Sequence, residues 1–170
     1  TFPRGFTEQP YWTVAGTDGG GNSALIDEDG AIEPAKGSFS IVPYVLADGK
    51  LFTWADVETS QSLARGYLPI PAVRWQGPGW HLETQLMADE TDDRLLARWR
   101  LVNDSDRPRT LQLLLGVRPF QVNPPAQFLS QQGGVSPIAA IEWNQDQLLV
   151  VPAQQTSGSV PPPLRLVPLV

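Results

Sequence analysis

Apolar and polar residues alternate with a period of two along much of the chain. From Trp80 to Ala88, the residues Trp80, Leu82, Thr84, Leu86 and Ala88 share one phase, and His81, Glu83, Gln85 and Met87 share the other. Leu95, Ala97, Trp99 and Leu101 alternate with Leu96, Arg98, Arg100 and Val102. Leu111, Leu113, Leu115 and Val117 alternate with Gln112, Leu114, Gly116 and Arg118. Successive Cβ atoms of a strand point to opposite faces, so the pattern predicts half-buried strands. The clusters Asp89–Asp93 and Asn103–Pro108 read as turns between them. A three-strand antiparallel meander follows, with Trp80 and Trp99 in the core and His81 on the outer, solvent-facing or interface phase.

Further hairpins flank this meander. Ser38–Leu46 and Lys50–Val57 bracket Ala47-Asp48-Gly49, an Asp-Gly turn signal. Pro43 assigns the first of these runs to a sheet edge or a bulge, because proline gives no ladder donor. Ala72–Gln76 and the strand opening at Trp80 bracket Gly77-Pro78-Gly79. Ile138–Trp143 and Gln147–Val151 bracket Asn144-Gln145-Asp146. The 17 prolines and 15 glycines interrupt nearly every window long enough for a helix. The expected fold is all-β, an antiparallel two-sheet β-sandwich of roughly eight or nine strands in a single domain. Segments 17–30 and 119–137 read as long irregular connections, where contacts and function concentrate. Residues 152–170 read as a Pro-rich arm or linker, and the whole as a segment of a longer protein.

Composition narrows the chemistry. A net charge of −6 argues against a nucleic-acid partner, which calls for a basic face. With no cysteine and one histidine, disulfides, thiol catalysis, Cys-ligated metals and two-histidine mechanisms are excluded. No apolar run approaches the ~18 residues of a membrane span, so no membrane partner is expected. Gly19-Gly20-Gly21 lacks the strand and helix of a phosphate loop, and no motif implies a cofactor. The cysteine-free, proline-rich, acidic composition leans to a periplasmic or secreted setting, although such domains also occur in the cytoplasm.

Four groups of residues could carry function. Asp27-Glu28-Asp29-Gly30-Ala31-Ile32-Glu33 has the look of a calcium loop, but aligning Gly30 to the turn glycine puts Leu25 and Lys36 at ligand positions, which leaves a looser site of Asp18, Asp27 and Asp29 as the alternative. A solvated acidic turn is the expectation there, with no metal. Asp89, Glu90, Asp92 and Asp93 fall in an exposed hairpin loop, where no cleft would separate their pKa values for acid–base work. Trp12, Trp54 and Trp75 offer flat faces on which sugar rings could stack. Arg118, Gln121 and Asn123 lie on a proline-braced loop, where an Arg fork and two carboxamides would recognise hydroxyls or carboxylates. Phe120 is expected to anchor this loop by burial, leaving Gln121 and Asn123 facing a cleft or a partner domain.

Three stretches carry a likeness to known proteins: Tyr11–Gly16 (Tyr-Trp-Thr-Val-Ala-Gly), Asn22–Gly30 and Arg118–Pro125. With Val102–Arg109 between them, they resemble the N-terminal β-supersandwich domain of large bacterial six-hairpin glycosidase-like proteins. Some of these are labelled coagulation-factor type C (discoidin)-like. The resemblance implies a sandwich similar to galactose mutarotase folds, packed on a helical barrel that supplies the catalytic carboxylates. It therefore implies no catalytic residue in this chain. The function expected is that of a non-catalytic accessory domain of a carbohydrate-active protein. Its partners would be a neighbouring domain of the same chain and carbohydrate. The alternative is a freestanding carbohydrate-binding module using an exposed pair, Trp54 and Trp75.

Overall fold

The period-two segments form strands, and every ladder is antiparallel. A computed structural model describes residues 11–21, 23–89, 94–122, 134–153 and 163–169. In chain order the strands are β1 (Trp12–Gly16), β2 (Ser23–Asp27), β3 (Ile32–Glu33), β4 (Ser40–Ala47), β5 (Lys50–Phe52), β6 (Glu58–Ala64) and β7 (Leu68–Gly77). They continue as β8 (Trp80–Asp89), β9 (Arg94–Asn103), β10 (Leu111–Arg118), β11 (Ile138–Asn144), β12 (Gln147–Pro152) and β13 (Leu164–Leu166). No α-helix occurs among the described residues. A six-stranded sheet has the order β1-β2-β3-β4-β10, with β5 also on β4. A four-stranded sheet runs β6-β7-β8-β9, and a three-stranded one β11-β12-β13.

The two larger sheets bury a common core. Ala15, Ala24, Ile26, Ile32, Val45 and Phe52 from the six-stranded sheet meet Val73, Trp75, Trp80, Leu82 and Leu86 from the four-stranded one. The expected inward phases of β8 and β9 hold, with Leu95, Ala97, Trp99 and Leu101 packed against this cluster. Trp80 meets Phe52 edge to face, with centroids 5.3 Å apart and planes at 75°. The third sheet joins the body through Val150, which packs with Phe39 and Ile41.

Several expectations need correction. The meander runs from β6 to β9 and does not continue into β10, because β10 pairs with β4 in the opposite sheet. Its preceding connection is long enough to cross the ~10 Å between packed sheets. That connection is built by Asn103, whose Oδ1 accepts from the Ser105 N–H at 3.0 Å while its Nδ2 donates to the Arg107 carbonyl at 2.8 Å. Pro43 sits in an inner strand. On one side β4 meets β3 at Ile41 and β5 from Val45 onward, so Pro43 falls in the gap between the two ladders. Segment 17–30 contains β2, and Leu164–Leu166 of the expected Pro-rich arm pairs with β12.

The Asp-Gly signal holds. Asp48 and Gly49 have φ of 49° and 84°, the left-handed pair that a two-residue hairpin needs. Asp48 also anchors a link between sheets: its Oδ2 accepts from Arg109 Nε at 2.8 Å and its Oδ1 from the Thr110 N–H at 3.1 Å. The Arg109 Nη1 donates in turn to the Pro78 carbonyl in the β7–β8 turn. The guanidinium holds the Asp48 carboxyl below the usual carboxylate range.

Gly77 lets the Trp80 ring lie against the backbone, since a Cβ there would stand 2.2 Å from the indole Cε2. Gly77→Ala is therefore expected to destabilise the fold by about 1–3 kcal/mol in urea titrations, the usual cost of overpacking. A loss under ~0.5 kcal/mol would mean that the indole can shift freely.

Candidate functional site

The Arg118 loop sits over one end of the outer face of the six-stranded sheet. Registry defines that face, because residues directly opposite share a side. Trp12 stands opposite Asp27, Val14 opposite Leu25, and Leu25 opposite Glu33. Tyr44 stands opposite Leu114, and Ser40 opposite Arg118. Trp12, Asp27, Glu33 and Arg118 thus share one sheet face, and the loop 119–122 closes over it through Val122.

Within this region the polar groups are turned onto the protein itself. The Gln121 Oε1 accepts from the Gly134 N–H at 3.2 Å, and its Nε2 donates to the Gly37 carbonyl at 3.4 Å. The loop closes further through the Gln121 N–H to the Gly134 carbonyl at 3.0 Å and the Ser136 N–H to the Pro119 carbonyl at 2.9 Å. Arg118 is half-buried and its Nη2 donates to Ser40 Oγ at 3.4 Å. The expectation that Gln121 faces a cleft is corrected, since its carboxamide ties its own connection at Gly134 to the 34–38 turn at Gly37. Asn123 lies outside the described residues.

Glu33, expected only as the end of the acidic calcium-like run, organises this region. It is buried; its Oε1 accepts from the Gly37 N–H at 2.7 Å and its Oε2 from the Val122 N–H at 3.0 Å. One carboxylate thus fastens the 34–38 turn to the loop 119–122. The available signal was Glu33-Pro34-Ala35-Lys36-Gly37, a turn whose glycine adopts φ of 75°. Val122, buried among Ala31 and Val42 with Trp12 and Tyr44 beside it, is the apolar anchor of the loop. Phe120, expected in that role, is half-buried and bridges Val135.

The acidic run 27–30 forms the β2–β3 turn and is not a solvated surface feature. Asp27 Oδ1 accepts from the Asp29 N–H at 3.0 Å and the Ala31 N–H at 2.7 Å. Asp29 is buried, and its carbonyl accepts the Trp75 indole N–H at 2.9 Å. Burial, then the nearby Asp29 charge, push the Asp27 carboxyl up to about 7, against the opposing pull of its two backbone donors and Arg118. No group of three or more metal-ligating side chains gathers among the described residues.

The other candidates scatter. Trp75 is 1% exposed and belongs to the core, so it has no free face for a sugar ring. Trp54 lies in a 3-10 turn, Trp54–Asp56, whose capping Thr53 and Asp56 bond reciprocally; the half-buried indole packs on the main core. Trp12 is half-buried against the Val122 cluster. Trp143, given no role from the sequence, is 65% exposed. His81 does lie on the outer phase, but it is nearly covered, and its Nδ1 meets the Asp104 carboxylate at 2.7 Å. That bond holds Asp104 below the usual carboxylate range. Of the acidic run 89–93 only Asp89 is described, 3.4 Å from the Arg94 guanidinium.

No family model, curated protein or solved structure matches this chain.

Two outcomes follow from this region. Asp27 has its folded pKa raised from the model-peptide value of 3.8 to about 7. Its contribution to stability is fully present below the unfolded value and is lost as pH rises through about 7. Asp27→Asn should therefore gain thermal stability relative to the parent between pH 4 and pH 8, as read by thermal melts across that range; a constant difference would place the carboxyl at an ordinary pKa. Val122→Ala should destabilise the protein more than Phe120→Ala in urea titrations, by about 1 kcal/mol, and the reverse order would return the anchor to Phe120.

Proposed function

We propose that this chain is a non-catalytic accessory β-sandwich domain of a larger carbohydrate-active, glycoside hydrolase-like protein. It packs on a neighbouring helical-barrel domain through the outer face of its six-stranded sheet. One observation carries the reading: beside Asp27, Glu33, Ser40 and Arg118, the outer side of that sheet keeps exposed apolar residues. Its inner side lines the core, while its outer side carries Val14, Leu25, Val42, Tyr44, Leu46, Leu51 and Leu114. Val14, Leu51 and Leu114 are 57%, 49% and 45% exposed. An antiparallel sheet with one solvated face ordinarily shows polar residues there, and a contiguous apolar patch marks a contact surface. The outer side of the four-stranded sheet is more polar, with His81, Glu83, Gln85, Arg98 and Arg100 beside Met87, Leu96 and Val102.

The internal commitments of Gln121, Glu33 and Asp27 support a bracing role for the loops over that face. The likeness of the Tyr11–Gly16, Asn22–Gly30 and Arg118–Pro125 stretches to six-hairpin glycosidase-like proteins supports the carbohydrate-active setting. The alternative of a carbohydrate-binding module working through Trp54 and Trp75 loses its stacking pair, because Trp75 is in the core.

The triple variant Val14→Ser/Leu51→Ser/Leu114→Ser should melt within about 3 °C of the parent as an isolated chain. In the longer protein it should lower the melting temperature of the joined domains. Equal melting of variant and parent in that longer protein would remove the docking role. Glycoside hydrolysis or aldose epimerisation by the isolated chain would overturn the non-catalytic assignment.

A further inference from the structure

The outer face of the four-stranded sheet carries a different chemistry. Registry orders it in rows: Ser60, Arg74, Glu83 and Arg100 form one, and Ser62, Ala72, Gln85 and Arg98 the next. Beyond them comes an apolar row, Met87 and Leu96, and then Asp89 opposite Arg94; on the other side Glu58, Gln76, His81 and Val102 form the outermost row. Arg74, Arg98 and Arg100 gather in the first two rows against Glu83, a local positive excess on a chain of net charge −6, while Arg94 and the carboxylates of Glu58, Asp89 and Asp104 lie at the margins of the face.

The arginines are only partly committed. Arg98 reaches Glu83 at 3.2 Å with its own side chain 64% exposed, a pairing that solvent weakens. Arg74 donates to Gln76 Oε1 at 3.2 Å. Arg100 is exposed and makes no hydrogen bond among the described residues. Strand geometry places Arg98 and Arg100 ~7 Å apart along β9, and Arg74 ~10 Å from Arg100 across two strand spacings. The Gln85 carboxamide and the Ser60 and Ser62 hydroxyls lie among them. This is the Arg-and-carboxamide combination that the sequence pointed to at 118–123, found on another surface.

We propose that this face binds an acidic polysaccharide, its arginine forks holding sugar carboxylates and its Gln85 and Ser60 side chains meeting sugar hydroxyls. Planar guanidinium groups match carboxylates in two-point contacts. Sugar carboxylates come at intervals of one or two units along such a polymer, and this spacing suits arginines ~7–10 Å apart. Nucleic acid fits poorly: duplex DNA carries a charge every ~1.7 Å, Glu83 stands among the arginines, and the face has no Phe, Tyr or Trp to stack bases. The proposal names a ligand class for the carbohydrate setting above, but it uses the opposite sheet from the docking face, so either can fail alone.

The test is affinity electrophoresis and calorimetry of the intact chain against polygalacturonate, with a neutral galactan and single-stranded DNA as comparators. Binding to polygalacturonate is expected to weaken as salt rises. Arg98→Ala/Arg100→Ala should bind about tenfold more weakly with unchanged circular dichroism and melting temperature, and Glu83→Gln should bind more tightly. If the double variant unfolds, the single Arg100→Glu, at an exposed position, supplies the same comparison. Absent binding, equal binding to the neutral galactan, tighter binding to DNA, or arginine variants that bind like the parent would each overturn the proposal.

Discussion

Two tryptophans set the distance and registry of the sandwich. Trp75 and Trp80 lie between the sheets, and each needs something special to be buried there. Trp75 places its indole N–H on the Asp29 carbonyl, 2.9 Å away in the opposite sheet. An unsatisfied buried donor would cost roughly 1–3 kcal/mol, so this bond dictates where the β2–β3 turn must sit. Trp80 instead relies on the bare backbone at Gly77 and the edge contact with Phe52. The acidic residues of the turn follow from the first requirement. Asp27 shapes the turn that presents the Asp29 carbonyl, and its raised pKa reflects how deeply that geometry draws a carboxyl inward.

Around this core the two large sheets differ in what they show the outside. The four-stranded sheet has the more polar outer face, in which arginines, carboxylates and carboxamides alternate. The six-stranded sheet carries apolar residues on its outer side as well, among Asp27, Glu33 and Arg118, and among the described residues the loop 119–122, held through Glu33, covers one end of it. The polar groups of that loop satisfy backbone donors and acceptors left by the irregular chain. Burial without such partners would be expensive. Gln121 and Glu33 are accordingly explained by loop construction, and exposed chemistry concentrates on the other sheet.

The strand phases of β8 and β9 were legible because one buried face imposes a period of two. The Asp48-Gly49 turn was legible because few residues tolerate its backbone angles. Period two reports which face a residue occupies, but not which strand lies beside it, so β10 was assigned to the wrong sheet. The phase of Val73 and Trp75 against Arg74 and Gln76 points Trp75 inward, and a ring with a face flat enough for a sugar packs as well into a core. His81 shows another limit. Its outer phase was right, yet Asp104, 23 residues away, covers it. Glu33 and Val122 are joined across 89 residues, a separation at which local pattern carries no information.

The Arg109 link joins turns that belong to different sheets, reaching Asp48 across 61 residues and Pro78 across 31. The bond to Asp48 needs β10 beside β4, and the bond to Pro78 needs the β7–β8 turn against that pair, so the link is complete only once the sheets have met. Such a contact contributes little to the transition state for folding and more to the barrier against unfolding. Arg109 thus behaves as a latch, acting on how long the folded sandwich persists and hardly on how quickly it assembles.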